Sequence, residues 1–489
     1  MRFAELLTQE QVARVHEASL EILENVGVLV RNEKARDRLV KHGCRVSAGT
    51  EVVKFPRSVV EQYCRTLPAE ITFHGRDPRH DVTIPRDRPL VTTGSSAPDL
   101  VDPLTGQVRR SRSDDIARIA HLVNELPGYD VFSVSTTADD APPGQFHLSR
   151  YYPALKNCLK PVACSAPNAV EAEAIHQLGV LVAGSEGAYR ERPFITYLSC
   201  PLVSPLTLDV DSTGMYMHFA EQGLPVYTVS APNAGMTAPL TLTGTLALCN
   251  AEFLAQAVLS QMSRPGTPVL YSTLPTVADM RSGAYAPGAI ETGMLVMGCV
   301  QMAHFYGVPS GGFVGLTNSK LNDAQSGFET GMSSLAALTA GVDLMNLGCL
   351  LDALMVFDFA AAVIGSEIAQ MLKRVARGYE TGEEDLALDV IAEVGPGGTF
   401  VDTQHTLERI RTTALLPKIA DRSPRSQWQA KGAQDAHSRA MRRVQEILTR
   451  DNPAVLAADV DAQIRAVFEG LVAGDAVPLS EGAVHSTAP

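Results

Sequence analysis

Seven apolar stretches recur along the middle of the chain, each rich in β-branched or aromatic residues: Val131–Thr136, Pro161–Ser165, Phe194–Ser199, Pro225–Ala231, Pro268–Ser272, Pro309–Gly315 and Val342–Leu347. Their starts are spaced by 30, 33, 31, 43, 41 and 33 residues. Most are followed by a polar or Gly/Pro-rich loop and then by an Ala/Leu-rich run. That is a strand–loop–helix unit repeated, and its economical closed form is an α/β fold, the TIM (β/α)8 barrel. An eighth strand is expected at Leu388–Val394. In such barrels the chemistry sits in the loops at the carboxyl ends of the strands, so the search for a site narrows to eight short segments.

A barrel needs roughly 250 residues, and the chain has 489, which leaves room for additions at both ends. Residues 1–110 read as a small N-terminal α+β module. Thr8 caps a helix through Val26, with Gln11 at the capping-box position. A second helix over Asn32–Lys41 stops at Gly43, and Val52–Phe55 and Ile71–Phe73 alternate like short strands. The barrel is expected over 111–400. Residues 401–489 read as C-terminal helices packed on the barrel, ending in a disordered tail at Pro478–Pro489.

The formal charge of −13 argues against nonspecific nucleic-acid binding, which needs a basic face. Eight cysteines form no CxxC pair, and Met1–Gln11 carries no apolar signal region, so a reducing, cytoplasmic setting is expected. Met355–Leu372 is apolar but includes Asp358, Glu367 and Gln370, and reads as a barrel helix with no role in a membrane. With 45% apolar residues, a buried interface in a homo-oligomer is expected.

The hydrolase and nucleotide motifs GxSxG, HExxH and the Walker A loop are missing, and the histidines are isolated, so no metal site is expected. Glu393-Val394-Gly395-Pro396-Gly397, after the expected last strand, resembles the first loop of Rossmann-type methyltransferases that use S-adenosylmethionine. The plainer reading is a glycine turn closing a strand, because only about ninety residues of helical character follow. The loops after the fourth to sixth of the seven apolar stretches are the ones suited to a ligand. They offer Pro232–Thr237, small and tight, then a segment with Asp279, Arg281 and Glu291, then the polar run Thr317–Glu329. Together with Tyr197 and Tyr271 near strand ends, the mouth presents rings, amides and carboxylates with little positive charge. That suits a small cation, and a quaternary ammonium in particular is held by ring faces and diffuse negative charge.

Several blocks then carry a family resemblance: Ile22–Val30 (ILENVGVLV), Thr105–Asp115 (TGQVRRSRSDD), Ser230–Gly244 (SAPNAGMTAPLTLTG), Ala251-Glu252, Arg281–Glu291, Ser319–Glu329 (SKLNDAQSGFE) and Val394–Thr406 (VGPGGTFVDTQHT). Over nearly its whole length the chain resembles the trimethylamine methyltransferase family, in its members without pyrrolysine. The resemblance implies a TIM barrel. It implies transfer of a methyl group from an amine to a cobalamin carried by a separate corrinoid protein. The archaeal trimethylamine enzymes have pyrrolysine in the active site, and this sequence has none. Members without it that have been assigned act on quaternary amines such as glycine betaine, proline betaine or carnitine. The alternatives are a catalytically silent barrel acting as a binding or assembly protein, and the S-adenosylmethionine enzyme.

Position then assigns roles. Tyr197 and Tyr271 are expected as ring walls, or else as core. Asn233, Gln325 and His405 are expected to hold a substrate carboxylate or orient the methyl donor. Asp323, Glu291 and Glu329 are expected to shape the field or fix loops, with helix capping as the other reading for Asp323 and helix initiation for Glu291.

Overall fold

The structure is a computed structural model describing residues 4–166, 168–472 and 474–478; the tail expected to be disordered lies, from Leu479 on, outside the described residues. Eight parallel strands form the barrel: β1 Leu90–Thr92, β2 Phe132–Ser133, β3 Val162–Cys164, β4 Ile195–Ser199, β5 Val226–Ser230, β6 Val269–Thr273, β7 Ser310–Val314 and β8 Leu344–Leu347. Each is followed by a helix: α1 Ser113–Glu125, α2 Leu148–Asn157, α3 Ala169–Ala183, α4 Asp211–Gln222, α5 Leu242–Ser263, α6 Ile290–Tyr306, α7 Ala324–Ala340 and α8 Phe359–Arg377. The helices cover the outer faces of strands filled by side chains on the inside. The strands therefore read as continuous apolar runs, without alternation. Gly223 (φ 74°) and Gly307 (φ 67°) end α4 and α6 in the left-handed conformation and turn the chain back toward the next strand.

β8 pairs with β1 through Leu344↔Leu90 and Asn346↔Thr92, and the bridge Thr92↔Val131 closes the ring. The seam is reinforced by Asp130, whose carboxylate accepts the Val91 N–H at 2.8 Å and the Lys373 ammonium at 2.7 Å. The eighth strand is thus Leu90–Thr92, at the start of the barrel. Leu388–Val394 is a helix. A short apolar run of seven residues does not distinguish the two periods, and this one has no sheet edge to join once β1 has closed the ring.

At the amino-terminal end of the strands, the antiparallel pair Ile71–Phe73 and Val82–Ile84 plugs the lumen. Ile71, Phe73 and Ile84 form one cluster with Leu90, Tyr227 and Leu270. The helix Gln9–Glu21 uses the expected Thr8–Gln11 capping box and runs into a wider turn at Ile22–Val26, ended by Gly27. A Cβ there would sit 2.6 Å from the Val53 carbonyl oxygen. Strand Val28–Val30 then pairs in parallel with Thr207–Leu208 from the β4–α4 loop, fastening the N-terminal module to the barrel.

Toward the C-terminus, helices Ala436–Leu448 and Ala458–Val467 pack on α8 and α1 and on α3. Before them, helices Glu383–Leu386, Leu388–Val394 and Gln404–Arg409 form an arm without buried residues. Gly395 (φ 64°) ends the second of these helices, and no strand occurs among the described residues from 378 to 478. The glycine segment 395–398 therefore lacks the preceding strand of a Rossmann cofactor loop, which removes the structural basis of the S-adenosylmethionine reading. Among the described residues one helix, α5, is long and apolar enough to cross a membrane, and 83% of that window is buried inside the protein. It is a core helix by its contacts.

Candidate functional site

Strand register decides which side chains enter the lumen, because neighbours directly opposite in a sheet share a face and the face alternates along each strand. Tyr227 and Leu270 belong to the interior cluster. From them the pairings Leu198↔Tyr227, Ala163↔Thr196, Ser133↔Ala163, Val229↔Ser272, Ser272↔Gly311, Phe313↔Asn346 and Asn346↔Thr92 carry the inward face round the ring. Every inward strand position so identified is uncharged. Toward the carboxyl end the lining turns polar, with Thr92, Ser133, Ser272 and Asn346 beside the Phe313 ring. The Oγ of Ser133, the Oδ1 of Asn346 and the hydroxyl of Tyr227 are buried without a hydrogen-bond partner. Buried polar atoms are ordinarily paired, so orphans clustered in one lumen mark a place built to meet a ligand or water. Leu198, Leu274 and Leu354 are partly exposed and form an apolar lip.

The same register turns Tyr197 and Tyr271 away from this space. Tyr197 stacks on Phe219 of α4 with ring centroids 3.5 Å apart, and Tyr271 stacks on Phe253 of α5 at 3.9 Å. The Tyr271 hydroxyl donates to Asn250 Oδ1 at 3.0 Å. Burial holds both phenols well above their ordinary range. The two expected ring walls are instead strand-to-helix packing. A strand buried on both faces gives no alternation from which to read direction, and Phe313 and Tyr227 hold the inward positions.

Above the rim, the loops build a collar of small sheets. Asn233–Ala234 pairs with Thr276–Asp279, which pairs with Ala284–Tyr285. Across the mouth, Leu350–Leu351, Val356–Phe357, Asp99–Val101 and Val108–Arg110 form a second tier. Asn233 holds its turn through its backbone, its carbonyl accepting from Met236 and Thr237, while its Oδ1 stays buried and unpartnered. Gln325 and Glu329 are brought together. Glu329 Oε1 accepts from Gln325 Nε2 at 3.0 Å, and its Oε2 accepts from the Thr317 hydroxyl and from the Asn318 N–H at 2.9 Å. Asn318 in turn accepts the Gly288 N–H at 3.0 Å and donates to the Tyr285 carbonyl at 2.9 Å. Glu329 thus clasps the β6 and β7 loops together.

Asp323 caps α7, accepting from the Ser326 N–H at 3.0 Å and the Ser319 hydroxyl at 2.9 Å. Those bonds hold its carboxyl below the usual range. Glu291 stands in the first turn of α6 and makes no hydrogen bond or ion pair among the described residues. His405 is placed apart from the others, on the helix Gln404–Arg409. Its arm is anchored where Arg374 and Arg377 donate to the carbonyls of Thr413 and Thr412. That end of α8 also carries Lys373, bonded to Asp130 at the amino-terminal side of β2, so the arm leaves from the base of the barrel, opposite the mouth.

Sequence reasoning missed the lumen residues and one further group, Arg150 on α2. Its side chain is 2% exposed and reaches over the carboxyl end of β2. Nε donates to the Thr136 carbonyl at 3.0 Å, and Nη2 donates to the Val134 carbonyl at 3.1 Å and the Ser96 hydroxyl at 2.6 Å. Nearby His147 is pushed down to about 4, first by burial and then by the Arg150 charge. The one available signal was an arginine inside the otherwise uncharged run Leu148–Leu155. No group of three or more His, Cys, Asp or Glu side chains able to hold a metal occurs among the described residues. The inward strand positions are thus neutral and partly aromatic, with the Arg150 guanidinium beside them at the rim. The inward strand positions carry no nucleophile paired with a base.

The profile of the family described as Trimethylamine methyltransferase (MTTB) matches residues 1–469. A glycine betaine methyltransferase of Desulfitobacterium hafniense (strain Y51) is 34% identical over 464 residues, covering 94% of this chain and 96% of that protein. A trimethylamine methyltransferase of Desulfitobacterium hafniense (strain DSM 10664 / DCB-2) is 30% identical over 462 residues, covering 94% and 93%. Among solved structures, the monomethylamine methyltransferase of Methanosarcina barkeri superposes with a TM-score of 0.51 at 14% identity, covering 91% of this chain and 96% of that one. At that identity the likeness concerns the barrel fold.

Proposed function

Because the chain belongs to the trimethylamine methyltransferase family, we propose that it takes a methyl group from a quaternary, betaine-like amine and delivers it to the cobalamin of a separate corrinoid protein. The observation that carries this reading is the uncharged lumen, with Phe313 and Asn346 side by side on adjoining strands. A quaternary ammonium is already activated for demethylation. When its C–N bond breaks, the electron pair stays on nitrogen and the departing amine is neutral. Cobalamin on the partner supplies the nucleophile that receives the methyl. This chain then has no proton to move.

Its residues have three tasks: to align the C–N bond with the mouth, to exclude water, and to tolerate the loss of positive charge. Alignment alone can supply several kcal/mol toward the barrier. A carboxylate inside the lumen would stabilise the charged ground state more than the transition state and slow the transfer. Ring faces and neutral amides hold a cation without that penalty. The collar above the rim is the surface offered to the corrinoid protein, since the partner's cofactor must approach the methyl from the open end.

A second copy of the chain is the proposed occupant of the apolar arm, where Leu388, Ile391, Val401 and Leu407 are exposed. A cytoplasmic setting goes with this assignment. The test mixes the protein with a reduced corrinoid partner and glycine betaine, proline betaine or carnitine. The readouts are the corrinoid spectrum and the demethylated amine. The proposal expects one betaine to yield its tertiary amine in step with the spectral change. No change with any of the three would remove the quaternary-amine assignment.

A further inference from the structure

Arg150 is a buried guanidinium held by neutral acceptors only. Its five N–H bonds divide unevenly. One on Nε goes to the Thr136 carbonyl, and the two on Nη2 go to the Val134 carbonyl and the Ser96 hydroxyl. The two on Nη1 meet no acceptor among the described residues, and no carboxylate lies within ion-pair distance of the group. Two acids on the neighbouring elements are engaged elsewhere. Glu171 accepts the His147 N–H at 2.8 Å, and Asp140 accepts the N–H and hydroxyl of Ser113. A charge removed from water without a counter-ion is costly, and chains keep such a group where something else neutralises it. Ser96 lies in the loop after β1, whereas Val134 and Thr136 lie at the end of β2. The guanidinium therefore spans the rim between two loops at the mouth of the neutral lumen.

We infer that Arg150 binds a carboxylate on the substrate, so that the amine accepted here is a zwitterion. The cationic nitrogen lies in the ring-lined lumen and the carboxylate meets Nη1 at the rim. Ser96, which accepts from Arg150, keeps its own O–H to donate to the same carboxylate. Arginine suits this role because its fork stays charged and its remaining donors are fixed by the bonds already made. The inference rests on the quaternary-amine reading of the lumen and adds the second recognition group.

Calorimetry on the full chain tests it with three matched pairs: glycine betaine and tetramethylammonium, proline betaine and N,N-dimethylpyrrolidinium, carnitine and choline. The carboxylate-bearing member of at least one pair is expected to bind tighter by about tenfold or more, the size of a charge-assisted hydrogen bond. Arg150→Met is expected to erase that preference, and Arg150→Lys to restore part of it. Circular dichroism and melting of both variants separate loss of binding from loss of fold. The ligand comparison on the unaltered protein stands even if neither variant folds. If ammonium compounds bind with no preference for a carboxylate, or Arg150→Met keeps the preference, the role of Arg150 is refuted and the lumen reading survives. If no ammonium compound of the six binds, the quaternary-amine reading fails and this inference with it.

Discussion

The sharpest consequence of the strand register concerns Phe313. If its ring faces the lumen, shortening it to leucine keeps most of the apolar bulk and removes the face on which a cation rests. Phe313 is 6% exposed, so a cation against it is largely desolvated and the contact is worth about 2 kcal/mol, the upper part of the cation–π range. With about 1.4 kcal/mol per factor of ten, Phe313→Leu should weaken amine binding about 30-fold. The fold should lose only about 1 kcal/mol, the usual cost of a core truncation of this size. Tyr271→Phe is the matched control. It keeps the ring stacked on Phe253 and removes the hydroxyl that donates to Asn250. That leaves a buried acceptor unpaired, lowering stability by about 1–2 kcal/mol, and amine affinity should not move. Titration calorimetry with glycine betaine and tetramethylammonium gives the affinities, and urea unfolding gives the stabilities. Unchanged affinity in Phe313→Leu, or a large loss in Tyr271→Phe, would show that the inward face has been taken from the wrong side of the strands.

Three other perturbations probe the scaffold. Lys160 is buried, donates to the carbonyls of Val123, Leu126 and Tyr129, and is pushed down to about 8 by desolvation. The unfolded chain keeps that proton up to its ordinary pKa of 10.5. Stability relative to Lys160→Met should therefore rise by about 3 kcal/mol between those two values, and parallel urea curves at pH 7.5 and 10 for the two proteins would expose the absence of this rise. In Gly288→Ala the new Cβ would lie 2.5 Å from Glu329 Oε2 and 3.0 Å from the Asn318 nitrogen. The loop clasp must then open at a cost of about 1–3 kcal/mol, and hydrogen exchange should accelerate at 317–329 but not in α5. Asp323→Ala removes the cap of α7 and should cost about 1 kcal/mol in thermal melts; a loss of amine affinity beyond about twofold would return Asp323 to the list of ligand-binding groups.

The barrel was legible because its repeat is long-range and redundant. Seven apolar runs at regular spacing admit few closed forms, and each of the seven matching strands begins within two residues of its expected start. The eighth strand was not legible. Leu90–Thr92 is three residues long, and ring closure is a property of the assembled sheet. The competing run Leu388–Val394 matches a strand as well as a helix until the edge it would join is seen to be filled.

The helix caps at Thr8 and Asp323 were written locally, since a cap is a bond between a side chain and a backbone group three residues on. The site was not. Tyr197 and Tyr271 are legible in the sequence as rings near strand ends, but the direction of a side chain on a doubly buried strand depends on register with neighbours thirty or more residues away. Arg150 looked like one charge in an apolar helix, and its meaning comes from carbonyls of another element and from the lack, among the described residues, of an acid within ion-pair distance. Composition and periodicity thus determined the architecture and the end of the barrel where a site belongs. Tertiary structure alone decided which faces meet there, because burial on both sides erases from the sequence the pattern that would have recorded it.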